Sequence, residues 1–370
     1  MELTEYMNNS VVQIFRDAIR SSHFNTKEFC FLNRAAKIQK AAAKKRLKSS
    51  ALGMSVPPFL IASIATKCNL HCAGCYARAN RTCMDEPSKE EMSSIRWGEL
   101  FSEAYALGIS FILLAGGEPL ERVDVLEEAA KMPELIFPIF TNGTLFTPSM
   151  LERFNQHRNL IPVISMEGNR QQTDQRRGEG VFEAIRQIMN DMACLGIFYG
   201  VSITVTKENL DTVTEDAFIS SLKKIGCHLV FLVEYVPADG NTKPALDEKG
   251  RSVLETRKNE LKAHYSDMVI LSFPGDEKKL GGCLAAGRGF FHITASGDAE
   301  PCPFSPYSDI NLKSSNLRAA LDSTLFRKIR ESHFEAQNHV GGCVLFPRKA
   351  EVEGLMANLV NHRGFEPRTP

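Results

Sequence analysis

The sequence predicts an α/β protein built around a parallel sheet. Six short apolar runs of strand length recur along the middle of the chain, and amphipathic helical segments separate them. The runs cover residues 59–65, 110–115, 136–141, 160–166, 199–206 and 229–236. Strand–helix units in succession give a parallel sheet with right-handed crossovers. This periodicity alone leaves a partial barrel and a doubly wound sheet as alternatives.

Residues 1–57 are expected to form a helical N-terminal segment. Between residues 34 and 48, seven lysine and arginine residues stand among alanines. This pattern favours a solvated helix face, and a docking surface for an acidic partner or leader peptide is the alternative. The Val-Pro-Pro sequence at residues 56–58 ends the helix, because proline lacks the amide hydrogen and clashes with the preceding turn.

Two of the helices between the strands show clear signals. Ser88 and Glu91 have the spacing of a capping box, which predicts that a helix opens there and places Trp97 on its apolar side. A second helix is indicated by apolar residues at helical spacing over 182–192, and Gly196 is expected to end it.

The composition narrows the class of protein. With 370 residues, 43% of them hydrophobic, the chain can bury a large core. Its 44 basic and 44 acidic residues cancel, so no overall field points to nucleic acid or membrane as a partner. It has no apolar run long enough to span a membrane and no signal-peptide pattern. We therefore expect a cytoplasmic protein whose ten cysteines are thiols that serve metal.

Three cysteines form the most informative motif of the chain. Cys68, Cys72 and Cys75 follow the first predicted strand with the spacing CxxxCxxC. A cubane [4Fe–4S] cluster normally takes four thiolates, one per iron, so three thiolates leave one iron open to a small molecule. A zinc site is the alternative, because zinc accepts cysteines at similar spacing.

Together with a Gly-Gly-Glu-Pro segment at residues 116–119, this motif resembles the signature of the radical S-adenosylmethionine (radical SAM) enzymes. The resemblance implies that residues 58–273 form a partial (β/α)6 barrel. It also implies that the three cysteines hold a [4Fe–4S] cluster that binds S-adenosylmethionine (SAM). The family often has an aromatic residue, next to adenine, just before the third cysteine. Here Gly74 has that position and Tyr76 follows the cysteine.

Ligands of parallel α/β sheets bind at the carboxyl ends of the strands, where the remaining candidates lie. The residues predicted to contact SAM are Gly116, Gly117, Glu118, Thr141, Asn142, Ser165, Glu167, Arg177, Val205 and Val236. Arg177 lies in a segment similar to the family's D-x-x-R-G and would pair with the methionine carboxylate. Ser165 and Glu167 would accept the ribose hydroxyls. Residues 234–237 are a candidate for substrate contact.

Each of these assignments has a simpler alternative. The paired glycines and the segment 141–143 can be ordinary tight turns. Arg177 can be a surface arginine, and both valines can be part of the barrel core.

Residues 274–370 are expected to form a small separate domain. Gly297 lies between Cys283 and Cys302 at a spacing that resembles the opening of the SPASM/twitch domain, which holds auxiliary iron–sulfur clusters. Gly297 is also well placed for a hairpin turn. Cys343 would be a third ligand. The full SPASM cysteine run is absent from the sequence, so the resemblance implies one auxiliary [4Fe–4S] cluster.

Three thiolates leave one iron of that cluster unassigned. Its ligand can be substrate, water, Asp276 or His292, and three scattered structural thiols are the alternative to a cluster. The cysteines without partner spacing are Cys30, Cys83, Cys194 and Cys227. The last two lie in apolar patterns and are expected in the core.

The resemblance implies an enzyme that reductively cleaves SAM to a 5′-deoxyadenosyl radical and removes a hydrogen atom from its substrate. It favours oxidative modification of a ribosomally made peptide or protein. The alternative is a radical SAM oxidoreductase acting on a tetrapyrrole or another small molecule. A non-catalytic iron–sulfur electron carrier is an alternative of another class, but a carrier has no need of a SAM cradle.

The resemblance also implies partners. One is a reducing electron donor of the flavodoxin or ferredoxin type. A stand-alone leader-recognition protein is another, because residues 1–57 are too short and too helical for a winged-helix recognition domain.

Overall fold

The structure is a computed structural model that describes residues 3–22, 25–273, 282–332 and 343–363. Within these ranges the strands are β1 (Phe59–Ala65), β2 (Phe111–Gly116), β3 (Phe137–Thr141), β4 (Leu160–Met166), β5 (Gly200–Val205), β6 (Leu229–Glu234), β7 (Val269–Phe273), β8 (His292–Ile293) and β9 (Ala299–Glu300). They form one sheet in the order β7-β6-β5-β4-β3-β2-β1-β8-β9.

Helices connect the strands in the same ranges. They are α1 (Leu3–Ser21), α2 (Thr26–Ala51), α3 (Tyr76–Ala79), α4 (Ser94–Leu107), α5 (Val123–Ala130), α6 (Pro148–Gln156), α7 (Arg170–Arg177), α8 (Val181–Cys194), α9 (Leu210–Thr214), α10 (Asp216–Lys224), α11 (Glu248–His264), α12 (Leu317–Leu321), α13 (Thr324–Glu331) and α14 (Lys349–Arg363). None of them is long and apolar enough to cross a membrane.

The first seven strands are parallel neighbours in chain order and curl into an unclosed, partial barrel. The predicted α/β fold is therefore confirmed, and each of the six predicted strands matches an observed one to within two residues at either end. The strand β7 was not predicted. It is a five-residue run that continues the parallel order beyond β6.

Successive side chains of each strand point alternately to the outer helices and to the inside of the barrel. In β1, Leu60, Ala62 and Ile64 are fully buried under the outer helices, whereas Phe59 is only half-buried on the inner face. Trp97 of α4 is completely buried in the outer layer. The hydrophobic core of the barrel thus lies mainly between sheet and helices, which leaves space inside the curl.

The predicted start of the α4 helix is wrong. Helix α4 begins at Ser94, and the Ser93 hydroxyl caps it by accepting a hydrogen bond from the Arg96 amide at 3.3 Å. Glu91 is used elsewhere: its carboxylate accepts the Thr66 amide at 2.7 Å and pairs with Arg122 at 3.0 Å. Tertiary contacts therefore override the local capping signal.

The N-terminal segment forms two helices, and α1 closes the amino ends of the strands. Phe15 of α1 packs on Phe111 with ring centroids 5.7 Å apart. Arg46 of α2 is buried and donates to Asn8 at 2.8 Å and to the Ser110 hydroxyl at 2.8 Å. Burial lowers the pKa of Arg46 to about 10. The basic residues of α2 that are exposed are Lys27, Arg34, Lys37, Lys40, Lys44 and Lys48.

The C-terminal part joins the barrel through a hairpin. Strand β8 pairs in parallel with β1, where Ile61 is opposite His292, and β9 returns antiparallel to it. Gly297 takes a φ of +91° in the connection, as the predicted hairpin turn requires. The hairpin extends the barrel sheet, although the sequence placed a domain boundary at residue 274.

Candidate active site

The cysteine loop leaves the carboxyl end of β1 and is held by a single arginine. The Arg78 guanidinium donates to the carbonyls of Leu70 at 2.9 Å and Cys68 at 3.2 Å, and it also pairs with Asp85 at 3.0 Å. The Cys68 amide donates to the Met84 carbonyl at 3.0 Å. Because these contacts fix both sides of the turn, the three thiols project from an ordered loop.

The two glycines at the end of β2 allow a close approach of backbone to backbone. A Cβ on Gly116 would overlap the Ala65 carbonyl oxygen, and one on Gly117 would overlap that of Lys67. The Gly117 amide donates to Ala65 and the Glu118 amide to Lys67, both at 2.7 Å. The glycines therefore hold the stem of the cysteine loop.

Glu118 connects the ends of β2 and β3. Its carboxylate accepts the Thr141 hydroxyl at 2.6 Å, the Asn142 amide at 2.8 Å and the Leu120 amide at 3.0 Å. Burial raises the pKa of Glu118 to about 7, against the lowering effect of these hydrogen bonds. Thr141 is completely buried, so its hydroxyl acts on the site through Glu118.

A cavity of about 250 Å³, here called the upper cavity, lies at the carboxyl ends of the strands. Ten predicted site residues line it: Cys68, Cys72, Cys75, Gly116, Gly117, Glu118, Asn142, Ser165, Arg177 and Val236. Thr141, Glu167 and Val205 do not. Val205 is completely buried in the hydrophobic core, which is the simpler of its two interpretations.

Buried Glu167 binds two half-buried arginines, Arg176 and Arg177, that line the upper cavity. One carboxylate oxygen, Oε1, accepts Arg177 Nε at 2.8 Å and Arg176 Nη1 at 2.6 Å. The Arg177 guanidinium also lies 3.9 Å from the Cys72 sulfur. Burial opposes the charge on Arg177, but the Glu167 carboxylate and the Cys72 thiol raise its pKa overall.

The other oxygen of Glu167 supplies a test of whether the site suits SAM. Glu167 Oε2 is buried and has no hydrogen-bond partner among the described residues. A buried acceptor without a donor is costly, and a ribose hydroxyl would satisfy it. This carboxylate, the Arg177 charge and the three thiols fit the groups of SAM and the cluster that the sequence implies.

Gly74 lies against Tyr235, the residue that follows the sixth strand. A Cβ on Gly74 would lie 2.7 Å from the Tyr235 ring, and Gly74 has a φ of +66°. Tyr235 lines the upper cavity. Tyr76 packs edge-on against Phe304 at 5.1 Å. Tyr235 therefore places an aromatic ring beside the position where the family often has one in the loop itself.

Cys83 is a fourth thiol of the upper cavity. It is buried, lines the cavity and lies close enough to Cys68 to affect the charge on that thiol. The neighbouring Cys83 thiol is the main reason that the pKa of Cys68 falls to about 6. No spacing in the sequence pointed to Cys83. Of the two cysteines expected in the core, Cys227 is buried and Cys194 is exposed.

The structure brings the three C-terminal cysteines together. The Cys302 and Cys343 thiols share a hydrogen bond, and Cys283 lies close enough to affect the charge on Cys302. Burial is the main cause that raises the pKa of Cys302. Pro303 and Phe304, which follow Cys302, line the upper cavity.

Among the described residues no three His, Cys, Asp or Glu side chains converge on a single metal ion. A cubane takes its thiolates one per iron, so its ligands lie around the cluster rather than at one point.

His292 takes part in a buried hydrogen-bonded chain. Its Nε2 lies 2.7 Å from the Ser63 hydroxyl, and its Nδ1 lies 2.6 Å from Glu300. Both ring nitrogens of His292 are thus engaged, so in this arrangement it does not offer a ligand to iron. Asp276, the other side chain considered for that role, lies outside the described residues.

Replacing Arg177 with alanine is expected to weaken SAM binding by about 1.5–3 kcal/mol, the usual loss of a charge-assisted hydrogen bond. Arg176 still compensates Glu167 in this variant, so the fold is retained. Arg170→Ala, on the exposed face of the same helix, is the matched control. Equilibrium dialysis with labelled SAM measures the change, and equal affinity of both variants and the wild type would remove Arg177 from the site.

Comparison with known proteins agrees with this geometry. Residues 62–218 match the radical SAM superfamily model. The chain is 26% identical over 320 residues to the AdoMet-dependent heme synthase of Methanosarcina barkeri, covering 79% of this chain and 90% of that protein. It is 24% identical over 322 residues to the mycofactocin maturase MftC of Mycolicibacterium smegmatis, covering 79% of each.

The fold is also similar to a solved structure. Streptococcus suis SuiB, crystallised with the precursor peptide SuiA, superposes with a TM-score of 0.63 at 16% identity, covering 82% of this chain and 71% of that one. The partial barrel, the cysteine loop at the carboxyl end of β1 and the match over residues 62–218 agree. These residues therefore form a radical SAM domain, and the prediction that the protein is an enzyme is confirmed.

Proposed function

We propose that this enzyme oxidatively modifies a ribosomally made peptide or protein. The observation that carries the proposal is that one cavity is lined both by the loop cysteines and by the two residues that follow Cys302. The SAM-loop thiols line the upper cavity on one side, and Pro303 and Phe304 bring the Cys302 segment to it on the other. The similarity to MftC, a maturase, and the fold shared with SuiB, which binds a precursor peptide, support this substrate class.

The chain's own residues prepare the site. When bound, a [4Fe–4S] cluster on Cys68, Cys72 and Cys75 together with SAM supplies a 5′-deoxyadenosyl radical, which removes a hydrogen atom from the substrate. Arg78 fixes the cysteine loop. Glu167 orients Arg177 toward the loop and keeps one carboxylate oxygen for a ribose hydroxyl. The apolar walls of the barrel keep water from the reacting atoms.

We assign a second [4Fe–4S] cluster to Cys283, Cys302 and Cys343, which lie together in the structure. Held by these three cysteines, a cluster would supply an acceptor for the electron that the substrate radical has to lose. This suits an oxidative outcome such as a cross-link, a desaturation or a decarboxylation.

A tetrapyrrole is the second candidate substrate. The heme synthase of Methanosarcina barkeri matches 90% of its own length, which is more than MftC does. The assay below therefore includes an iron porphyrin beside the peptides.

The proposal is tested with the anaerobically reconstituted enzyme, SAM and a reductant. Without substrate it should release 5′-deoxyadenosine slowly. A precursor peptide encoded next to the gene should accelerate the release and lose hydrogen, as measured by mass spectrometry. Flavodoxin and ferredoxin are compared with dithionite as electron donors, and the peptide is supplied with and without any recognition protein encoded nearby.

Two results contradict the proposal. Release of S-adenosylhomocysteine alone would indicate methyl transfer instead of hydrogen abstraction. Conversion of the iron porphyrin while the peptides stay unchanged would move the enzyme to the tetrapyrrole class.

A further inference from the structure

A second cavity lies inside the barrel beneath the upper one. This lower cavity, of about 250 Å³, is bounded by first residues of strands, among them Phe111, Leu229 and Val269, and it is closed by Phe15 and Ala18 of α1. It lies on the side of the barrel away from the cysteine loop. The assignments made above leave it without a role.

The lining of the lower cavity is almost entirely apolar. Tyr6, Ser10 and Ser272 are the only polar side chains among its described lining residues, and none of the lining residues is charged. A cavity without polar partners does not hold water well, and an engineered apolar cavity of about 150 Å³ is known to bind benzene. The lower cavity therefore has room for a larger apolar group.

The two cavities share part of their walls. Five residues, here called the collar, line both: Phe59, Leu113, Phe140, Phe231 and Phe273. The Phe140 and Phe231 rings meet edge to face at 5.4 Å. All five collar side chains are only half-buried, although they lie on the inner face of the barrel. A molecule held in the upper cavity thus lies next to the lower one, with the collar side chains between them.

No residue of the fifth strand is among the described lining residues of the lower cavity, so this strand contributes no large side chain to fill it. In closed (β/α)8 barrels, large side chains from alternate strands fill the interior in layers. Here the inner face of β5 carries Gly200, Ser202 and Thr204. A Cβ at Gly200 would lie 2.6 Å from the Leu229 side chain, so a larger residue is excluded there.

We propose that the lower cavity binds an apolar side chain of the substrate, aromatic or branched aliphatic, while the reacting carbon stays in the upper cavity. This inference rests on the proposed peptide substrate. It adds that the peptide carries a bulky apolar residue close to the residue that is modified. Without charged groups or many polar partners, the lower cavity gains affinity only by removing apolar surface from water. Burying such a side chain is expected to tighten binding about ten- to a hundredfold.

Indole is the probe for this site. Ligand-observed NMR on the reconstituted enzyme should show indole binding to the wild type and binding at least about tenfold weaker in Leu271→Trp, whose new ring fills the lower cavity. Ile95→Trp, at an exposed position of α4, is the matched control and should bind like the wild type. Ala18→Phe, which fills the lower cavity from α1, replaces Leu271→Trp if that variant has a lowered melting temperature or iron content.

The outcomes separate this inference from the proposed function. No indole binding to the wild type, or equal binding to the filled variants, would overturn the inference whatever the substrate is. Loss of indole binding with peptide conversion unchanged would also overturn it and leave the peptide assignment intact. The inference is supported if the filled variants lose both indole binding and peptide conversion. In that case, replacing the bulky peptide residue with alanine should lower conversion by the wild type and not by the filled variants. If only the iron porphyrin is converted, the peptide assignment fails and the substrate part of the inference fails with it.

Discussion

Replacing Cys68, Cys72 and Cys75 together with alanine is expected to abolish SAM cleavage and to lower the iron content from about eight to about four per chain. The three thiols line one cavity, and the neighbouring Cys83 thiol lowers the pKa of Cys68, which favours the thiolate form that binds iron. Iron and sulfide analysis after anaerobic reconstitution measures the first effect, and chromatography of 5′-deoxyadenosine measures the second.

A control variant tests whether the loss of iron is specific to the three loop cysteines. Cys30 and Cys194 are exposed and lie outside the upper cavity, so their replacement by alanine should leave iron and activity unchanged. The cluster assignment is wrong if the wild type binds only zinc, or if it binds four irons that the triple variant keeps.

Cys343→Ala is expected to separate two activities of the enzyme. Slow SAM cleavage without substrate should survive, because the first cysteine group and its contacts are intact. Conversion of the substrate should fall to background, because the second cluster no longer accepts an electron. Cys343 is buried beside Cys302, and its sulfur accepts the Phe346 amide at 3.3 Å, so its loss also removes a local contact.

Folding of this variant has to be shown, because metal binding is coupled to folding in small metal domains. Circular dichroism and thermal melting give that control, and Cys343→Ser retains a side chain of similar size. Full substrate turnover in a folded variant that lacks the second cluster would show that this cysteine group is structural.

The barrel was predictable because its signals are local. The run from Phe59 to Ala65 is almost entirely apolar, follows two prolines and ends before the polar residues Thr66 and Lys67, so its limits could be predicted to the residue. The start of α4 was not, because the use of Glu91 depends on Thr66 and Arg122, which are distant in sequence. Strand β7 was missed because five residues after a long helix carry little periodic signal.

The same distinction applies to the candidate site. The loop cysteines were predicted from spacing alone, since all three lie on one short segment. The contact between Cys83 and Cys68, and that between Tyr235 and Gly74, exist only after β1 and β6 have taken their places in the barrel. The position of Arg176 next to Arg177 in the sequence could have marked it as a site residue. Only the structure shows that both arginines donate to the same oxygen of Glu167.

The pairing of β8 with β1 has a consequence for synthesis of the chain. Ile61 and His292 are register partners about 230 residues apart, so the outer edge of β1 stays unpaired until almost the whole barrel has left the ribosome. Long-range pairing of this kind slows folding, and an open strand edge next to reactive thiols invites aggregation. The nascent protein therefore depends on its C-terminal hairpin to protect the strand from which the cysteine loop extends.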